Sequence, residues 1–162
     1  MADEKRKVRR LTFKPDSIIL VESSFVRGFE SNTAEPAASV AYEVTSAQYR
    51  TDNDHIQIVT ECRVNLHYRD DPDALIATLR SKYALTLIAS KNIRDEDAKS
   101  GALMPGQSMG VRLLHPYHRS RIAELSSLTG MTAFELPITW EETVKDAERS
   151  VNGTLDSGVE SL

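Results

Sequence analysis

The stretch HIQIVTECRVNLHY, His55–Tyr68, decides the fold. Ile56, Ile58, Thr60, Cys62, Val64, Leu66 and Tyr68 fall on one face, and Gln57, Val59, Glu61, Arg63, Asn65 and His67 on the other. Side chains that alternate between apolar and polar at every second residue belong to a half-buried strand. Just upstream, Thr51-Asp52-Asn53-Asp54 has the chemistry of a turn, because Asp and Asn tolerate left-handed backbone angles and bond their own main chain. Downstream, Arg69–Asp73 reads as the next turn, and Pro72 cannot donate to a sheet ladder, so pairing must break there.

Working outward, Val40–Arg50 alternates moderately, with Val40, Tyr42 and Val44 on one side. Leu75–Ile88 places Leu75, Ala77, Leu79, Tyr83, Leu85 and Leu87 opposite Thr78, Arg80, Lys82 and Thr86, with Ile76 and Ile88 on the polar phase. Short links on both sides of His55–Tyr68 make these three segments an antiparallel meander. Ser17–Phe29 is rich in β-branched and aromatic residues, but its apolar residues come in adjacent pairs, which predicts burial on both faces or a bulge. Glu30–Ala38, with Pro36, reads as a crossover loop.

After Ser90 the period changes. Lys91–Gly110 is polar and carries three glycines and Pro105, which reads as a linker with a short helical turn at Asp95–Lys99. Val111, Leu114, His118, Ile122, Leu125 and Leu128 then recur at helical spacing, and Gly130 sits where a left-handed C-cap belongs. Pro116 must lie in the first turn of that helix or kink it. Thr139-Trp140-Glu141-Glu142 has the form of a capping box opening a second helix that runs to about Arg149. Four strands followed by two main helices define an α+β fold. The expected organisation is a flexible basic tail over 1–12, one domain over 13–150 and a flexible tail over 151–162.

The chain has 162 residues, a net charge of -4 and a pI near 5.6, so as a whole it does not attract nucleic acid or anionic lipid. The basic cluster Lys5–Arg10 reads as a solvated tail or a contact for an acidic partner or RNA. Cys62 is the single cysteine, which excludes an intrachain disulfide and suits a reducing compartment. It lies on the apolar phase of its strand, as a small core hydrophobe does. No apolar run of signal-peptide type follows the N-terminus, so the expected location is the cytoplasm. His115 and His118, three apart on a helix, can present two imidazoles on one face, as a metal site requires, or can be a helix start with one partly buried imidazole. No phosphate loop, Cys-x-x-Cys or nucleophile elbow occurs, so no catalytic residue, metal or cofactor is expected. Phe25, Phe29, Val59, Ile76 and Ile88 break the alternation and crowd a second sheet face. Such a face needs a cover: helices, a partner subunit or a ligand.

Leu113-Leu114-His115-Pro116-Tyr117-His118-Arg119 resembles the helix start of the SecB chaperone family, leucine or phenylalanine-Pro-Tyr-Ala-Arg. Ile122-Ala123-Glu124-Leu125, Gly130 and Leu136-Pro137-Ile138-Thr139-Trp140-Glu141 are similar to that family's helix, glycine break and run into the last helix. The resemblance covers most of residues 17–148. It implies a homotetramer in which two eight-stranded sheets enclose the long helices. It implies an ATP-independent holdase for unfolded or precursor polypeptides, with SecA as recipient in protein export, or a dedicated chaperone of one partner such as an antitoxin. On that basis Phe25, Phe29, Tyr42, Ile76 and Tyr83 are expected to supply client-binding surface, and Leu114, Tyr117, Ile122 and Leu125 to pack on the sheet and a sister subunit. An acidic chaperone also favours clients rich in basic and aromatic residues. The chain departs from the family where a leucine-x-glutamate pair contacts SecA, since Ile76 and Thr78 stand there, and Asn152–Leu162 lacks the basic character of the family's tail. A small His-based enzyme using His115 and His118 is the remaining alternative.

Overall fold

A computed structural model describes residues 9–28, 36–130, 134–139 and 141. Strands β1 (Phe13–Arg27), β2 (Pro36–Tyr49), β3 (His55–Tyr68) and β4 (Asp71–Ala89) precede helices α1 (Asp95–Lys99) and α2 (Met104–Ser127). The strands form one antiparallel sheet in the order β1-β4-β3-β2, so the chain has the expected α+β layout. The meander is β2–β3–β4, and the link between β1 and β2 joins opposite edges of the sheet. β2 begins at Pro36, inside the expected crossover loop. Proline is tolerated there because it opens an edge strand.

Both anticipated irregularities are present. β1 pairs with β4 through two register shifts, between Pro15 and Ser17 and between Leu20 and Glu22, which is how adjacent apolar pairs fit one strand. The second shift turns Phe25 toward the helix side, opposite Leu79, instead of crowding the open face. In β4, Tyr68 pairs with Asp71 and His67 with Leu75, so Pro72 lies in an interruption of the ladder. A further shift between Leu66 and His67 makes Ile76 the extra residue and reverses the phase. Leu75 therefore joins His67 on the open face and is exposed, while Ile76 is buried.

α2 begins well before its expected start at Val111, within the stretch read as a linker. Pro105 is favourable in a first helical turn, where its missing N–H has no intrahelical bond to make. Gly106 and Gly110 let the helix approach the sheet closely. A Cβ on Gly110 would stand 2.6 Å from Ile58 Cδ1, and one on Gly106 3.1 Å from the Phe13 ring. Pro116 lies inside α2 rather than in its first turn, and it removes the hydrogen bond to the Arg112 carbonyl. Val111, Leu114, His118, Ile122 and Leu125 are buried as the period predicts, whereas Leu128 is exposed at the cap. Gly130 takes the left-handed conformation expected of it, with φ 74°. Asp52 also has positive φ, and Asn53 Oδ1 accepts the His55 N–H at 2.9 Å, completing the expected turn.

The core forms two clusters along the helix side. One gathers Ile58, Leu85, Leu87, Ile93 and Leu114, the other Val64, Leu79, Ile122, Leu125 and Leu136. The segment expected as a basic tail is anchored from Arg9 onward. Arg9 pairs with the buried Asp97 at 3.0 Å, Leu11 enters the first cluster, and Thr12 and Ser90 exchange hydrogen bonds. After α2 the chain turns back. His115 Nε2 and Arg119 Nε hold the carbonyls of Pro137 and Leu136 at 2.9 and 3.0 Å, and Ser126 bonds the main chain of Phe134. Of the second main helix expected from Thr139 to Arg149, only Thr139 and Glu141 lie among the described residues.

Candidate polypeptide-binding surface

His118 joins the two core clusters. Its ring lies between Tyr42 of β2 and Tyr83 of β4, both edge-on, at centroid distances of 4.9 and 5.0 Å. The ring nitrogens bond the Thr60 and Ser81 hydroxyls at 2.8 and 2.7 Å. A neutral imidazole donates from one nitrogen and accepts at the other, and hydroxyls can complement either tautomer. Burial disfavours the cation, as does neighbouring His115, and the pKa of His118 is pushed down to about 3. Burial likewise raises the Tyr42 phenol, and it pushes the Cys62 thiol up to about 12, the environment of an inert core thiol. His118 is fully buried and His115 nearly so, and each bonds protein groups rather than converging on an open position. Among the described residues no group of three or more His, Cys, Asp or Glu could hold a metal ion.

The opposite face of the sheet is open and carries a charge ladder. Arg80 Nε and Nη2 each bond a Glu61 carboxylate oxygen at 2.7 Å, Arg63 adds a bond of 2.9 Å, and Arg80 also reaches Glu22 at 2.7 Å. The Arg80 hydrogen bonds hold the Glu61 carboxyl below its usual range. Val59 and Ile88 are half-buried on this face, while Ile19 and Val26 of β1 are 58% and 61% exposed there.

The residues singled out in the sequence separate by depth. Ile76 and Tyr83 are each 8% exposed, so they form floor rather than surface. Phe25 and Tyr42 are half-buried against the second cluster. Phe29 lies outside the described residues. Leu114, Ile122 and Leu125 are buried between α2 and the sheet, while Tyr117 is 46% exposed and touches Tyr83 at 5.8 Å between centroids.

What sequence reading did not single out is the free edge of β2. Among the described residues no strand pairs with its outer side, and the edge presents small and polar residues with Val44 and Tyr49 exposed among them. Its C-terminal end is flanked by two depressions that share Ala47 and Tyr49. One opens on the charge-ladder face, at Gln48, Gln57 and Thr86, and the other on the helix face, at Ile56, Leu103 and Met104. The weak alternation of Val40–Arg50 was the only sequence signal of this edge, since a strand with one free side buries little.

Four antiparallel strands backed by a long helix in this order and topology constitute the SecB-like fold. Among solved structures, a SecB-like chaperone of Mycobacterium tuberculosis, in complex with a ChAD peptide from the HigA1 antitoxin, matches with a TM-score of 0.60. The match covers 78% of this chain and 90% of that one at 13% identity, which establishes likeness of fold. No protein-family model matches the sequence, and no curated protein matches it.

Proposed function

We propose that the chain is an ATP-independent chaperone that holds polypeptides in an extended, unfolded state. The observation that carries this reading is the free β2 edge beside half-buried aromatic surface. An extended client can add main-chain hydrogen bonds there without a defined sequence. In this reading Tyr42 on β2 meets client side chains beside the free edge, and Phe25 on β1 offers a second apolar contact on the same face, at the opposite edge of the sheet. Ile76 and Tyr83 support this face from below.

The proposal includes a homotetramer in the cytoplasm. Two chains pair through their β1 edges into an eight-stranded sheet, and two such sheets meet through the outer faces of α2 around Tyr117. Exposed Ile19, Leu20, Val21 and Val26 on β1 favour this pairing, because a free apolar edge strand is a template for association. Among the described residues no helix is long and apolar enough to cross a membrane.

A second reading, service to one dedicated partner such as an antitoxin, is favoured by the antitoxin peptide held by the structurally similar mycobacterial chaperone. Ile76 and Thr78, at the positions of the SecB leucine-x-glutamate pair, weigh against delivery to SecA. The test is dilution of a chemically unfolded protein into buffer with and without this chain, in the absence of nucleotide. Suppression of aggregation by unrelated clients at near-stoichiometric ratio supports the general holdase. Failure with all of them, from a folded oligomer, removes general holding and leaves the dedicated partner.

A further inference from the structure

The two depressions at the end of β2 differ in chemistry, and they lie at the same level of one strand because both are bounded by Ala47 and Tyr49. The helix-side depression has an apolar floor of Tyr49, Ile56, Leu103 and Met104. The open-face depression is lined by Gln48, Gln57, Thr86 and His55, with Arg50 beside them. No carboxylate lines either depression, whereas Arg50 lines one and Lys99 the other. Arg50 is exposed and makes no ion pair with the described residues.

Consecutive side chains of an extended strand point to opposite faces. A strand added to the β2 edge across Ala47–Tyr49 therefore sends one side chain into the apolar depression and its neighbour into the polar, cationic one.

We propose that this end of β2 is a selective subsite for an extended segment in which apolar residues alternate with acidic ones. The inference rests on the reading of the chain as a polypeptide-binding protein and adds a pattern that its occupant must carry. The selectivity opposes the overall charge. The chain's net charge of -4 favours basic clients at long range, but on the open face, where the acidic side chains would lie, contact is with Arg50. A blocky peptide of the same composition places an apolar residue against Gln57 or an acid against Met104, and both mismatches cost affinity.

The experiment measures fluorescence anisotropy of labelled eight-residue peptides with the full chain. The peptides alternate valine and glutamate, carry the same residues in two blocks, or alternate valine and lysine; a fourth is the first with N-methyl groups on one edge. The alternating acidic peptide should bind at least tenfold tighter than the blocky and lysine peptides, and N-methylation should abolish binding. Arg50→Glu should reverse the preference between glutamate and lysine, and Met104→Asp should weaken every alternating peptide. Equal affinity for the alternating and blocky peptides, or no response to Arg50→Glu, would overturn the subsite. Aggregation suppression measured on the same samples separates the two levels. If it persists while pattern and variants have no effect, the subsite alone fails; if no client or peptide is held at all, the general holdase reading fails with it.

Discussion

β1 and β2 close one sheet at opposite edges, and among the described residues each leaves a row of main-chain groups with no strand beside it. They differ in what surrounds that row. β1 carries exposed Ile19, Leu20, Val21 and Val26, distributed over both faces by its bulges. β2 carries Glu43, Thr45, Ala47 and Gln48, with Val44 and Tyr49 as its large exposed apolar residues. An edge that is apolar on both faces gains most from a permanent partner. A mostly polar edge can stay open in water and still lend its main chain to a passing strand. One sheet thus offers an edge suited to assembly and another suited to transient binding.

The largest expected effect comes from breaking the floor both edges share. Leu125→Asp places a charge between α2 and the sheet with no partner to accept it. It should cost about 3–5 kcal/mol and abolish the folded oligomer, as read by circular dichroism and light scattering. A mutant of unchanged mass and melting behaviour would remove α2 from that floor.

Separating the edges is the next test. Ile19→Lys with Val26→Lys should halve the solution mass by light scattering, because lysines on an edge oppose strand pairing. Gln48→Lys on β2 should leave the mass unchanged. The same loss from both changes would erase the distinction.

A smaller effect concerns His118, which ties β2 to β4 through Tyr42 and Tyr83. Its folded pKa of about 3 lies below the ordinary 6.5. Between those values the unfolded chain binds a proton that the folded chain refuses. Stability is therefore full above pH 6.5 and falls as pH drops through this window, by at most about 1.4 kcal/mol per pH unit. Urea midpoints at pH 7 and 5.5 should show the drop, and His118→Gln should flatten it. Glu61, with a lowered pKa, acts in the same direction only as pH falls below about 4.5, outside the compared window. Smallest is Glu61→Gln on the open face, which weakens the bonds from Arg80 and should cost about 1 kcal/mol while leaving mass and binding unaltered.

The buried strands were legible because both sides of β3 and β4 are paired, so a period of two is written into every residue from Ile56 to Leu66. Phase was lost where the backbone departs from period two, as at Ile76 in β4, whereas in β1 the adjacent apolar pairs signalled an irregularity without fixing its position at Asp16 or Val21. The start of α2 was hidden for another reason. Gly106 and Gly110 resemble helix breakers in sequence and reveal their role only against Phe13 and Ile58. His118 was placed correctly on the buried stripe, but its hydroxyl partners come from Thr60 and Ser81, far off in the chain. The β2 edge was barely legible because a free edge buries little and leaves the pattern weak.

Hydrogen–deuterium exchange of the full chain, with and without an excess of extended client peptide, tests the division of labour most directly. The account predicts that β1 amides are protected in both samples, and that client protects β2 amides around Val44–Tyr49 while the oligomer keeps its mass. Protection appearing on β1, or a client that changes β1 and leaves β2 exchanging freely, would contradict it.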